Sequence, residues 1–363
     1  MQRQTLLVTS FMLLGGLAVV MPSMVQAEVV AAQANKQQLD KLLEQGRKLV
    51  EQGNVAGAIA LYQKAATIEQ NNPRIYSGIG YLQALQGNYS AAAIAYRQAV
   101  VLDPNNADFQ YALGYSLGKL GENTGAAAAY QRTTELDSNN PNAYLGLGVI
   151  LLRQGNYSGA IAAYKQALAL EPDNASAYGL LGEILLQQGR TEEAIATLQK
   201  SATIDPKNSS VLLSLANAWL KQNNKTAGLL TLQQVAHINP GNAKVHLAIG
   251  NLLREQNDLN GALQAYGNAL AVEPNLVKAQ EAIGNILLSR GELKPAIAAF
   301  RRLIALSPEN GNAYYNLGVA LQQQGQTQDA IAAFKRAHQL YKQRGQLEGL
   351  RRVETALRRL QQS

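Results

Sequence analysis

Cysteine is absent from this chain, so no disulfide braces it, no lipid-bearing cysteine anchors it, and its stability has to come from packing alone. Histidine is scarce as well, with three residues, too few for most histidine-based metal sites. His237 and His246 flank the turn at Pro240, but no acidic residue lies between them to complete a zinc set. The phosphate-cradling GxxxxGK[ST] loop and the HExxH zinc helix are both missing. Charged residues make up only 16% of the chain against 47% hydrophobic, which excludes a charge-driven disordered chain and supplies a large core. Acidic clusters such as Glu192-Glu193, and Glu171 with Asp173, read as solvated helix starts that complement the helix dipole. Weak manganese or calcium binding at such carboxylates stays open; no cofactor is otherwise expected.

Long apolar runs are also lacking, with one exception at the N-terminus. Arg3 precedes the run Leu6 to Met21, Pro22-Ser23 breaks it, and Val25-Gln26-Ala27 offers small residues to a signal peptidase. The reading is a secretory signal over residues 1–27 and a periplasmic chain; an uncleaved inner-membrane anchor is the alternative, although the run is short for a span of about 20 residues. Residues 28–38 are expected as a flexible lead. Basic residues exceed acidic ones by seven. Most of that excess lies after residue 310, where Arg351, Arg352, Arg358 and Arg359 interleave with Leu347, Leu350, Val353, Leu357 and Leu360 in one amphipathic helix. This basic helix, within 345–363, is read as a cap. Its charge suits a solvated face or contact with an anionic membrane surface, and no nucleic-acid partner is expected for an exported chain.

Proline is sparse but periodic. It falls at Pro104, Pro172, Pro206, Pro240, Pro274 and Pro308, with Ser138 at the one skipped step, and the interval is 34 residues. Counting each unit from 31 residues before this proline gives nine: 39–72, 73–106, 107–140, 141–174, 175–208, 209–242, 243–276, 277–310 and 311–344. Position 8 is glycine in every unit except the sixth, as in Gly80, Gly148 and Gly284. Position 20 is small, as in Ala92, Ala160 and Ala296, and position 24 is Tyr96, Tyr164 or Phe300 in the same units. In this register the chain resembles the tetratricopeptide repeat superfamily over residues 39–344. The resemblance implies an all-α fold, a right-handed superhelical solenoid of about nine helical hairpins with a C-terminal capping helix.

The physics of the unit points the same way. Glycine in a helix costs about 1 kcal/mol relative to alanine, so its recurrence at one helical position has to be offset by close packing there. Small residues at positions 8 and 20 let the two helices approach, and the large residue at position 24 fills the wedge. Gly155 supplies the left-handed residue that ends a first helix, and a second helix over Ser158 to Leu170 stops before Pro172. The sixth unit departs, with Ala216 for glycine, Asn223 at the turn, Gly228 for alanine, and the only tryptophan, Trp219. That departure reads either as local repacking or as a contact site, since tryptophan is enriched at binding hot spots.

In the superfamily the first helix of each hairpin lines a concave groove. The resemblance therefore implies a peptide-binding role for Tyr81, Tyr111 and Tyr115 early in the chain, and for Lys244, Lys278, Asn217, Asn251, Asn285 and Asn316 later. Three asparagines at position 9 of successive units are expected as a ladder of amides able to pair with an extended backbone; asparagine also fills polar helix faces. The family's carboxylate clamp is incomplete, because Leu213, Ala248 and Ala282 stand where it carries polar or basic groups. The expectation is a non-enzymatic periplasmic scaffold that binds a protein or peptide and assists complex assembly. A signal followed by nine units in a glutamine- and asparagine-rich chain also resembles the processing-associated tetratricopeptide proteins of cyanobacteria, which implies a role in photosystem II assembly and manganese delivery. A third reading is an accessory module that positions an enzyme of envelope polysaccharide or peptidoglycan. Pairing of exposed end units into a homodimer remains open.

Overall fold

The structure, a computed structural model, describes residues 21–362. Most of the expected signal sequence therefore lies outside the described residues. All regular structure among them is helical, and no helix there is long and apolar enough to cross a membrane. The first hairpins are α1 (Met21–Glu51) with α2 (Val55–Ile68), α3 (Pro73–Leu85) with α4 (Tyr89–Leu102), α5 (Ala107–Leu120) with α6 (Asn123–Leu136), and α7 (Pro141–Arg153) with α8 (Tyr157–Leu170). Next come α9 (Ala175–Gln187) with α10 (Thr191–Ile204), α11 (Ser209–Lys221) with α12 (Lys225–Ile238), and α13 (Ala243–Glu255) with α14 (Leu259–Val272). The last are α15 (Val277–Ser289) with α16 (Leu293–Leu306), α17 (Gly311–Gln323) with α18 (Thr327–Gln343), and the closing helix α19 (Leu347–Gln362).

Local chemistry sets these boundaries. Each first helix ends at a residue of positive φ. Glycine fills that place in most units, but Asn223 (φ 61) and Asn257 (φ 63) fill it in two, asparagine being the side chain that best tolerates the left-handed region. Many helices of both kinds start under an asparagine or aspartate cap: Asn156 at the start of α8 accepts from the Gly159 N–H, and Asn140 and Asn310 at the starts of α7 and α17 do the same for Ala143 and Ala313. Much of the chain's asparagine is thus helix-capping material.

Two compact units result, one ending at Ala177 and the other beginning at Tyr178, so the division falls inside α9. In the first unit Ile75, Ile79 and Ala95 pack with Leu39, Leu43 and Tyr62, and Tyr96, Leu113, Tyr130 and Ile150 join the following hairpins. In the second, Leu212, Leu232, Val245 and Ile249 form one cluster, Tyr266, Ala279 and Ile286 another, and Phe300, Leu317, Phe334, Tyr341 and Val353 a third. Each cluster spans neighbouring hairpins, as packing in a repeat array requires.

The position 8 glycines lie beneath the position 24 side chains. A methyl built on Gly148 would stand 2.9 Å from the Tyr164 ring, and one on Gly284 would stand 2.7 Å from Phe300. Space for a ring, more than approach of two backbones, is what the glycine provides. The sixth unit obeys the same rule by exchange: Leu232 replaces the ring, Ala216 occupies the room gained, and Gly228 accommodates Leu220, whose side chain would lie 2.7 Å from an added methyl. Trp219 is half-buried, consistent with repacking and not with an exposed indole.

Two expectations about the ends need correction. Residues 28–38 are not a loose lead but part of α1, because this run carries no glycine or proline and is rich in alanine and glutamine, which propagate a helix once the first hairpin nucleates it. In the cap, Val353 is fully buried and Leu350, Leu357 and Leu360 are half-buried, but Leu347 is 67% exposed because it opens α19 beyond the edge of α18.

The ring positions yield a stability test. Tyr164 is fully buried and its hydroxyl has no hydrogen-bond partner, whereas the Tyr266 hydroxyl donates to Asn251 Oδ1 at 2.8 Å. Tyr164→Phe is expected to stabilise the chain by about 1 kcal/mol and Tyr266→Phe to destabilise it by about 1 kcal/mol, read as opposite shifts of the urea midpoint. Burial, the largest cause in both, also raises the Tyr96 and Tyr164 hydroxyls from 10.0 to about 12. Their contribution is complete below pH 10 and lost as pH climbs towards 12, because the unfolded chain ionises first. A chain carrying phenylalanine at both positions should lose less stability over that interval.

Candidate functional site

Among the predicted groove residues of the first unit, Tyr111 and Tyr115 line one cleft and Tyr81 does not. Tyr111 and Tyr115 occupy successive turns of α5 on the same helix face. The Tyr111 ring meets Tyr130 of α6 edge-on, with centroids 5.7 Å apart, and Tyr115 meets Tyr89 at the start of α4 at 6.1 Å. Tyr81, on α3, is 54% exposed, and Leu85 one turn on is 53% exposed.

Between α5 and α7 these rings wall a cleft of about 280 Å³. Tyr111 and Tyr115 line one side, Leu145, Val149 and Ile150 the other, and Tyr130 lies at the floor, 5% exposed. Gly146 of α7 creates the floor, since a methyl there would stand 2.5 Å from the Tyr130 ring. Burial first, and then the neighbouring Tyr111 and Tyr115, push the Tyr130 hydroxyl well above the usual tyrosine range; burial and Tyr115 raise Tyr111 in the same direction. Both hydroxyls therefore stay protonated, and able to donate, throughout the physiological range.

Two cations and an amide complete the rim. Arg153 Nη1 donates to the Gly118 carbonyl at 2.8 Å, a bond from the end of α7 to the end of α5 that fixes the guanidinium. Lys119 Nζ stands 5.3 Å from the Tyr115 ring centroid, and Asn142 is exposed at the start of α7. No carboxylate lines the cleft, and Glu122 nearby in sequence is held by Arg97 at 2.8 Å. Tyr111 and Tyr115 are legible from the repeat register. Tyr130, Asn142, Lys119 and Arg153 were missed; the signal for the two cations is that Lys119 and Arg153 stand at the same repeat position, 34 residues apart.

The second unit does not present three equivalent amides. Asn217 is exposed, but Asn251 Oδ1 accepts the Tyr266 hydroxyl, and Asn285 Oδ1 accepts from Asn316 Nδ2 at 2.8 Å. Lys244 and Lys278 are exposed on α13 and α15. At the cap, Arg352 stands over Tyr315 at 5.3 Å, while Arg351, Arg358 and Arg359 are exposed. His246 is buried with Nε2 2.9 Å from the Pro240 carbonyl oxygen, which places the proton on that nitrogen.

One sequence, Gly114-Tyr115-Ser116-Leu117-Gly118, has the spacing of the serine hydrolase GxSxG turn. It is not such a turn: it lies within α5, Ser116 is fully buried, and its hydroxyl donates to the Ala112 carbonyl at 2.9 Å. Among the described residues no group of three or more His, Asp or Glu is placed to hold a metal.

With this geometry in hand, the chain was compared with known proteins. Residues 72–282 match the family model described as cilia and flagella-associated protein 70 C-terminal domain. Residues 46–87 and 284–325 match a TPR repeat model, and 311–344 a tetratricopeptide repeat model. No curated protein matches. Among solved structures, the C-terminal part of a TPR repeat-containing protein from Cytophaga hutchinsonii is 18% identical, covering 76% of this chain and 99% of that one, with a TM-score of 0.51. A tetratricopeptide repeat protein from Parabacteroides merdae is 16% identical over 69% of this chain and 99% of that one, with a TM-score of 0.48. YrrB, described as a TPR protein with an unusual peptide-binding site, is 21% identical over 53% of this chain and 98% of that one, with a TM-score of 0.47. At such identities the likeness concerns the fold alone.

The cleft depends on Gly146. Gly146→Ala should push Tyr130 out of its seat, destabilise the chain by about 1–3 kcal/mol and change the near-ultraviolet tyrosine circular dichroism, whereas Gly267→Ala, with open space around its added methyl, should leave that signal unchanged.

Proposed function

The chain belongs to the tetratricopeptide repeat superfamily, and from that premise we propose that it is an exported, non-enzymatic scaffold which holds a segment of a partner polypeptide in the cleft between α5 and α7 and so assists assembly of an envelope complex. Helical-repeat folds of this superfamily act in protein–protein interaction, which is as far as the fold reaches. The cleft carries the rest. It is the place among the described residues where exposed tyrosine, apolar walls, fixed cations and a free amide meet on first helices. Tyrosine presents a large, stiff, amphipathic surface at small entropic cost, and arginine pairs planar groups, so both are favoured at binding hot spots. A volume of about 280 Å³ falls at or below the small end of the range typical of small-molecule sites, and it suits one inserted side chain of a longer segment.

The second unit supports a different part. Its asparagines satisfy a buried tyrosine and one another, so their first use is to order the face. Export to the periplasm follows from the N-terminal pattern, and the absence of cysteine is compatible with that compartment.

Photo-cross-linking tests the reading. A benzoylphenylalanine replacing Tyr115 should give an adduct with a discrete envelope polypeptide, and the same group replacing Ile94, 64% exposed on the second helix α4, should not. Equal adducts from both positions, or none containing a second polypeptide at Tyr115, would remove the cleft as the binding site.

A further inference from the structure

The charge around the cleft narrows the partner. We infer that the segment it holds is acidic, with one large apolar side chain entering between Tyr115 and Val149 and a side-chain carboxylate beside it meeting Arg153 and Lys119. The inference rests on the reading that this cleft holds a polypeptide, and adds which kind. Two basic residues and no acidic one line the cleft, although the chain as a whole carries 25 acidic residues against 32 basic. Glu122, just beyond the end of α5, is engaged by Arg97 at 2.8 Å, and no ion pair joins either rim cation to a carboxylate among the described residues.

Position matters as much as sign. Arg153 spends one guanidinium nitrogen on the Gly118 carbonyl, which holds the group at the mouth, and its other N–H donors remain to pair with a carboxylate. Lys119 is held near the Tyr115 ring, so both charges border the apolar walls and do not extend into solvent at random. The Tyr111 and Tyr130 hydroxyls add donors, and the side chains that line the cleft supply no acceptor stronger than these hydroxyls and the Asn142 amide. Such a surface favours a carboxylate, disfavours a lysine-rich segment, and ranks neutral segments between them. The contact differs from recognition of a chain terminus, because cations at the ends of α5 and α7 beside an apolar cavity suit an internal residue whose neighbour is inserted.

The test uses the mature chain and short fluorescein-labelled peptides, acetylated and amidated so that the dye charge is common to all and they differ in charge only through their side chains. One has a phenylalanine flanked by aspartate and glutamate, a second has asparagine and glutamine in place of the acids, and a third keeps the acids but replaces phenylalanine by alanine. Fluorescence anisotropy should show the first binding about tenfold tighter than the second, the strength of one charge-assisted contact, and the third should bind more weakly than either. In Lys119→Gln with Arg153→Gln the first two peptides should become equal while the second keeps its parent affinity. Because Arg153 also ties two helices, Lys119→Gln alone, altering an exposed side chain, is measured beside it and should lose part of the preference with unchanged helical circular dichroism.

Equal affinity of the first two peptides for the parent chain would overturn the acidic preference while leaving the cleft as a polypeptide site. A preference that survives both substitutions would also overturn it, placing charge recognition elsewhere, for instance on Arg351, Arg358 and Arg359 of α19. Phenylalanine peptides that bind unchanged to a Tyr111→Ala, Tyr115→Ala chain would remove the cleft itself and the function proposed for it.

Discussion

The fold depends on one contact, repeated: a large side chain from the second helix of each hairpin laid against a residue without a side chain on the first. Tyr164 on Gly148, Tyr266 on Gly250 and Phe300 on Gly284 are instances, and in each an added methyl would fall within 3 Å of the ring. Glycine weakens a helix by about 1 kcal/mol, and burial of an aromatic side chain returns roughly 1.5–3 kcal/mol, so the exchange is favourable wherever the ring is enclosed. The sixth unit shows that the constraint is volume and not identity, because Ala216 with Leu232 fills the same space from the opposite direction.

That contact also generates the candidate site. A position 24 ring is touched from its own hairpin by the position 8 glycine and can be touched from the next hairpin at position 6. Where position 6 is glycine, as at Gly146, the next first helix comes close over the ring and leaves it as the floor of a cleft. Packing and the proposed binding site thus share Tyr130. Lys119 and Arg153 stand at the ends of the two helices that Gly146 brings together, so their placement beside the apolar walls follows from the same geometry.

The fold was legible because its signals are local or strictly periodic. The 34-residue spacing, the small residues at positions 8 and 20, the rings at position 24 and the left-handed turn residue can each be read without coordinates, and helices beginning at Pro73, Ala107 and Pro141 keep that spacing. The site was legible only in part. Tyr111 and Tyr115 follow from the register, but Arg153 reaches its carbonyl partner 35 residues earlier, and nothing in the sequence says which of several arginines will do so. The asparagine row misled for a related reason: position 9 adjoins the position 24 hydroxyl of its own hairpin, so Asn251 is drawn into an internal hydrogen bond that a one-dimensional pattern does not reveal. Residues 28–38 stand outside the repeat register, yet their helix propensity carries α1 through them once the first hairpin nucleates it.

The most direct test of the account is hydrogen–deuterium exchange of the protein with and without the acidic phenylalanine peptide proposed for the cleft. Slower exchange confined in the first unit to the peptides covering the C-terminal half of α5 and the whole of α7 is the predicted result. Protection on α13 and α15, or on α19, with α5 and α7 unchanged would contradict it.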